Sequence, residues 1–171
     1  ADLNSSLETL QKPITRINAI SRKRFSEPFE GVNRCFREVF TRLFPGGLAE
    51  LLLTDESDLL ETGVDIDIRI PGKRTQNVTL LSGGEKSLSA IALIFSIHLY
   101  RPVPFLLLDE VDASLDDANI SLFNRLVKET VSHSQILMIT HNKLTMEIAD
   151  SLYGVTMPKQ GISTLVSVNL N

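Results

Sequence analysis

Three short stretches of this chain carry residue types that move protons and hold phosphates. The apolar run "FLLL" ends in Asp109 and Glu110, and "ILMIT" is followed by His141. Ligands of open α/β sheets collect at the carboxyl ends of strands, so both stretches end where chemistry is done. Strand side chains alternate, so two adjacent carboxylates point differently. One can hold a magnesium-bound water while the other faces a reacting water. The structural alternatives are a turn cap for the acid pair and a packing role for the histidine. Asp112 and Asp116 follow closely, which puts four acids within the eight residues "DEVDASLD". Carboxylates at that density need a cation or hydrogen-bond donors. The third stretch, "SGGEK" at 82–86, precedes a long apolar run. A helix N-terminus exposes unpaired N–H groups and a partial positive charge, and glycines let a backbone approach an anion closely. Ser82, Gly83 and Gly84 therefore read as a phosphate cradle, with a flexible turn as the alternative.

A nucleotide site complete in one chain would also hold a P-loop, G-x-x-x-x-G-K-[ST]. Gly72-Lys73 is the nearest candidate, but Asp67 stands in place of the first glycine and Arg74 in place of Ser or Thr. The main triphosphate cradle is expected from another polypeptide or an absent segment.

The elements that must position these residues change character along the chain. Leu3, Leu7, Leu10, Ile14 and Ile17 form a heptad seam interrupted by Pro13. Phe25, Phe29, Val32, Phe36, Val39 and Leu43 form a second seam, out of phase with the first. The pattern predicts a helical arm that meets a globular body near Phe25, with Ser26 and Pro28 starting a second helix and "PGG" at 45–47 ending it. "LAELLL" at 48–53 reads as a strand. "VDIDIRI" at 64–70 alternates strictly, the mark of a half-buried antiparallel strand, and "NVTL" at 77–80 reads as short and extended. Residues 85–99 are apolar on nearly every side, which predicts a buried helix. "VPFLLLDE" and "QILMIT" read as buried parallel strands, with helices at 117–131 and 143–151 and closing strands in "LYGVTM" and "STLVSVNL". Strand–helix–strand–helix order argues an α/β topology with right-handed crossovers.

Composition sets the outer bounds. The 171 residues are 43% hydrophobic and 22% charged, enough for one ordinary globular domain. No apolar run reaches the roughly 18 residues of a membrane helix, and the start has no apolar signal core. The chain lacks an initiator Met, so an excised piece of a longer chain is expected. The single cysteine, Cys35, excludes an internal disulfide and reads as a small core residue, and no Cys/His cluster suggests zinc. Residues 1–44 hold eight Lys/Arg against five Asp/Glu, and the remainder holds nine against sixteen. The basic end, with "SRKR" at 21–24, is either a phosphate-backbone contact or a solvated helix face.

"LSGGEKSLSAIAL", "FLLLDEVDASLD" and "MITHNK" resemble the signature motif, the Walker B strand with its D-loop, and the switch histidine of ABC-type ATPases. With "FREVFTRLFPGGLAEL" and "ADSLYGVTMPKQGIS", the chain resembles the SMC proteins of chromosome condensation over nearly its whole length, most closely the bacterial type. Ser114, where this family often has Ala, is a small departure. The resemblance implies the C-terminal lobe of an SMC head: an ABC-type half-domain, α/β, with a mixed sheet whose parallel core strands are flanked by helices. Residues 1–24 would be the coiled-coil root and 25–171 the lobe. It implies ATP and Mg2+, an N-terminal lobe bringing the P-loop, and a second head, with two nucleotides sandwiched between heads. Asp109 would orient magnesium through water, and Glu110 would be the general base. His141 would contact the γ-phosphate and the water. Ser82 and Gly84, with Gly83 shaping the turn, would bind the γ-phosphate held by the opposite head. Asp116 would communicate across the dimer, and Lys86 would tune the cradle.

The same resemblance implies a kleisin's winged-helix domain as partner, with the closing strands at 152–170 as its dock. It also implies DNA contact through the whole complex, a cytoplasmic, nucleoid-associated place, no membrane, and no ATPase activity for this chain alone. Three rivals remain. A double-strand-break repair ATPase shares the motifs, but "GVTM" and "PGGLAEL" favour SMC. A transporter's nucleotide subunit would carry its own P-loop upstream and no heptad seam. A non-catalytic module that only holds a kleisin is the rival from another class.

Overall fold

The computed structural model describes the backbone of residues 2–72 and 76–169. The chain forms two compact units, Ala1–Pro102 and Val103–Asn171.

The first unit begins with one helix, α1 (Asp2–Leu43), unbroken where two helices are expected. Ser26 does not cap a new first turn. Its Oγ donates to the Arg22 carbonyl one turn back, at 3.0 Å, so the hydroxyl serves the helix already running. Pro13 and Pro28 both lie inside α1. An interior proline removes one helix bond and costs about 3 kcal/mol. Phe25 and Phe29, stacked at 5.8 Å, bridge the turn that Pro28 weakens. The helix changes environment along its length. Ile14, Ile17 and Ile20 are exposed, whereas Phe36, Val39, Phe40 and Leu43 are buried. Leu3, Leu7 and Leu10 lie outside the residues whose side chains are described.

The buried end of α1 packs on β1 (Leu48–Leu53) and on α2 (Gly83–Tyr100). Phe36, Phe40 and Phe44 form a ladder of rings with centroids 5.9 and 4.4 Å apart. Each fully buried ring contributes about 1.5–3 kcal/mol through area removed from water. Buried Asn33 closes a paired hydrogen bond with Leu51 of the edge strand β1. Its Nδ2 donates to the Leu51 carbonyl and its Oδ1 accepts from the Leu51 N–H, both at 2.9 Å. The amide thus serves the strand as a neighbouring strand would. Strand β1 pairs antiparallel with β2 (Val64–Arg69), and β2 with β3 (Gln76–Asn77). The stretch 77–80 is not extended throughout. Val78–Leu80 form a single 3-10 turn that leads into α2, closed by Leu81 N–H to the Val78 carbonyl.

Helix α2 buries Leu88, Ser89, Ile91, Ala92, Phe95, Ser96 and His98. Gly31 of α1 lets the Tyr100 ring lie close, since a Cβ there would come within 2.1 Å of it. The helix is not buried all round. Ile94, Ile97 and Leu99 remain exposed on its other flank.

The second unit is built on two parallel strands, β4 (Phe105–Asp109) and β5 (Gln135–Ile139), in register Phe105↔Gln135 through Asp109↔Ile139. Helix α3 (Asp117–Val131) connects them and packs on β5. Its buried Ile120, Phe123, Leu126 and Val127 join Leu108 and Leu115 in the core. The other sheet face is open: Phe105, Leu107, Leu137 and Ile139 are 50–69% exposed. A short helix, α4 (Lys143–Met146), follows β5 and ends earlier than the expected 151. A turn at 147–150 then reverses into the hairpin β6 (Ser151–Lys159) and β7 (Ile162–Asn169). The α/β class with parallel and antiparallel strands holds, and among the described residues the strands pair as three small sheets, β1-β2-β3, β4-β5 and β6-β7.

Candidate functional site

The parallel register brings three of the expected residues to one place. Asp109 ends β4 directly beside Ile139, which ends β5. Glu110 and the Thr140–His141 pair therefore leave neighbouring strands side by side. The Glu110 N–H donates to the Ile139 carbonyl at 2.9 Å, one step past the last strand pair. Glu110 is the one non-glycine residue with positive φ among the described residues, at 47°. A left-handed backbone costs about 1–3 kcal/mol for such a residue and persists only where its surroundings fix it. Asp109, Glu110 and His141 are all exposed.

The dense acids resolve differently. Asp112 is 1% exposed, and its Oδ2 accepts from Thr140 Oγ1 at 2.6 Å and Thr145 Oγ1 at 2.5 Å. Asp116 caps α3, accepting from the Asn119 N–H at 2.9 Å. Both thus find hydrogen-bond donors inside the protein. Among the described residues no group of three or more His, Cys, Asp or Glu could hold a metal ion. A single exposed carboxylate at Asp109 still suits magnesium. That ion commonly takes one or two carboxylates and completes its octahedron with waters and substrate phosphates.

Ser82, Gly83 and Gly84 lie in the first unit, at the start of the 18-residue α2. Ser82 is the N-cap of a full capping box. Its Oγ accepts from the Glu85 N–H at 3.4 Å, and Glu85 Oε2 accepts from the Ser82 N–H at 2.9 Å. The Ser82 hydroxyl proton stays available, because a hydroxyl donates once while accepting. With the Ser82 and Glu85 N–H groups engaged, Gly83 and Gly84 carry the orphan donors of the first turn. A Cβ built on Gly83 meets nothing within 4 Å, so packing inside this chain does not require glycine there. Lys86 is exposed in the same turn. Sequence reading used Ser82 as a phosphate donor and missed Glu85, although Ser-x-x-Glu is the signal for a capping box. It also missed the Thr140 and Thr145 hydroxyls, for which no short-range pattern exists.

Residues 8–164 match the family described as RecF/RecN/SMC N terminal domain. The chain is 54% identical over 169 residues to the chromosome partition protein Smc of Myxococcus xanthus, and 50% identical over 169 residues to that of Bacillus subtilis. Each alignment covers 99% of this chain but 14% of the relative, so the chain spans about one seventh of their length. Among solved structures it is similar to the Smc head domain with an extended coiled coil bound to the C-terminal domain of ScpA, from Pyrococcus furiosus. There the TM-score is 0.85 at 38% identity, over 99% of this chain and 42% of that one. It is also similar to a chain from structural work on ATP-driven dimerization and DNA-stimulated activation of SMC ATPases. There the TM-score is 0.80 at 39% identity, over 87% of this chain and 90% of that one.

Proposed function

This chain belongs to the RecF/RecN/SMC N terminal domain family, and we propose that it is the C-terminal lobe of an SMC head that hydrolyses ATP during chromosome segregation. The observation that carries the reading is the shared strand end, where Glu110 and His141 leave paired parallel strands and the Glu110 backbone is held left-handed. Motif order supports the C-terminal assignment: signature corner, acid pair, histidine, and no P-loop match in the sequence. The open apolar face of β4 and β5 also fits, since parallel sheets normally have both faces covered. A complementary lobe with the P-loop is the partner assigned to that face. Residues 1–24 are assigned as the coiled-coil root, in keeping with the exposed Ile14 and Ile17.

Glu110 accepts a proton from the attacking water, and His141 orients that water and the terminal phosphate. Asp109 would hold magnesium. Magnesium, when bound, neutralises charge on the phosphate oxygens. Ser82, Gly83 and Gly84 present donors to the γ-phosphate held by a second head, so the nucleotide closes the dimer. Asp116 fixes the start of α3 in the loop that faces that second head, and Lys86 adds positive charge beside the cradle. A kleisin winged-helix domain docks on β6 and β7, whose Tyr153, Val155, Leu165 and Val166 are exposed. DNA is contacted by the whole complex, with Lys12, Arg16 and Arg24 of the exposed arm contributing. The complex works in the cytoplasm on the nucleoid. No helix among the described residues is long and apolar enough to cross a membrane.

Glu110→Gln in the full-length protein tests the reading. ATP binding is expected to persist while turnover falls about 10²–10⁴-fold, the range for loss of a general base. Normal turnover in that variant removes Glu110 from the chemistry.

A further inference from the structure

His141 is exposed at a loop, yet the residues on both sides of it are tightly held. Thr140 Oγ1 donates to Asp112 Oδ2 at 2.6 Å and accepts from the Asn142 N–H at 2.9 Å. Asn142 Oδ1 then caps α4 through the Leu144 N–H at 2.9 Å. Thr145 Oγ1, inside α4, returns to the same Asp112 oxygen at 2.5 Å. Asn124 of α3 adds an outer tie, donating from Nδ2 to the Leu144 carbonyl at 2.8 Å. Asp112 thus gathers both ends of the segment that carries His141.

The other end of this connection leads to Glu110. The Ala113 N–H donates to the Glu110 carbonyl at 3.2 Å, and the Leu115 N–H to the Asp112 carbonyl at 3.1 Å. The turn after Glu110 is therefore fixed where Asp112 emerges from it. One buried carboxylate links the turn beneath Glu110 to the loop bearing His141. A carboxylate is a costly choice for a merely structural tie. Asp112 Oδ1 is fully buried and accepts no hydrogen bond from any described residue. Buried polar atoms are nearly always satisfied, and an exception calls for a functional reason. What the tie uses is Oδ2, an sp2 oxygen that accepts two hydroxyl donors at once from different elements.

We propose that Asp112 is a positioning residue that sets the His141 loop against the turn after Glu110. This rests on the ATPase reading above, and it adds a residue that touches neither nucleotide nor water. Misplacement of reacting groups by about 1 Å can cost on the order of 100-fold in rate. Loss of the clamp should therefore lower kcat and leave nucleotide affinity nearly unchanged.

The test uses the full-length protein with ATP. Asp112→Ala is expected to lower kcat roughly 100-fold with KM within about threefold. Asp112→Asn, whose carbonyl oxygen can still accept both hydroxyls, should recover most of the rate. Thr145→Val removes one donor at similar volume and should lower kcat about tenfold, and Thr145→Ser should restore it. Hydrogen–deuterium exchange supplies a readout independent of activity. Amides of residues 139–146 should exchange about tenfold faster in Asp112→Ala and Thr145→Val, with residues 83–90 unchanged. Unchanged exchange at 139–146, or an Asp112→Asn variant as slow as Asp112→Ala, overturns the clamp. If the wild-type protein fails to turn over ATP, the functional reading fails, and the exchange result still decides the clamp.

Discussion

The corner at Ser82–Gly84 and the strand end at Asp109–His141 solve opposite problems. The corner presents backbone. Its capping box satisfies the N–H groups of Ser82 and Glu85, and the glycines offer what remains, with open space over Gly83. The strand end presents side chains. Its backbone is committed through Glu110 N–H to Ile139, through a left-handed φ of 47°, and through hydroxyls gathered on Asp112. On the proposed reading, the first receives a phosphate held outside the chain. The second is a constellation whose members must not move. If both are half-sites as proposed, the difference teaches that they use different kinds of rigidity: an 18-residue helix behind the first and hydroxyls gathered on Asp112 behind the second.

Filling the corner should have the largest effect. Ser82→Arg places a bulky cation where the proposed reading puts the γ-phosphate, and ATP-driven head dimers should vanish from gel filtration. Dimers that persist with ATP would remove the corner from the nucleotide interface. Gly83→Ala separates receiving from folding. Apart from its neighbours along the helix, no described residue lies within 4 Å of the added methyl. Stability should be unchanged or raised by up to about 1 kcal/mol, because alanine is the better helix former. Head engagement should still weaken, by roughly tenfold, which corresponds to about 1.4 kcal/mol. A Gly83→Ala head that dimerises normally would show that the glycine serves only local backbone freedom.

The smallest effect lies far from both regions, in the loop between β1 and β2. The Ser57 hydroxyl, then the Ser57 and Asp58 N–H groups, hold the Asp55 carboxyl below its ordinary value of 3.8. A carboxylate with a lowered folded value adds stability above its unfolded value, and that contribution is lost as pH falls through the folded one. Loop order should therefore be retained at neutral pH and fade below about pH 4. Amide shifts of Ser57 and Asp58 should titrate with Asp55, and shifts that stay flat from pH 6 to 2 would contradict the contact. Activity near pH 7 should not respond, which leaves the comparison of corner and strand end undisturbed.

Much of this was legible because it is local. Alternation marked β2, continuous apolar runs marked β4 and β5, and the helix at 117–131 was read at its observed bounds. The crowded acids of "DEVDASLD" announced that partners were needed, and Asp112 and Asp116 have them. What was illegible depends on competition between interactions of similar size. Ser26 can cap a new turn or bond back to Arg22; the residue types alone do not choose, and the structure forms the second. Residues 143–151 look helical throughout, yet Ser151 pairs with Asn169 in the closing hairpin, and α4 stops at Met146. The apolar flank of α2 and the open face of β4 and β5 read as buried, because apolar patterning reports a need for cover and not its source.

ATP turnover by this chain, alone and then mixed with the complementary lobe that carries the P-loop, tests the half-site most directly. Negligible turnover alone and clear turnover on mixing, abolished by Glu110→Gln, is the predicted result. Sustained turnover by the pure 171-residue chain, or none after mixing, would contradict it.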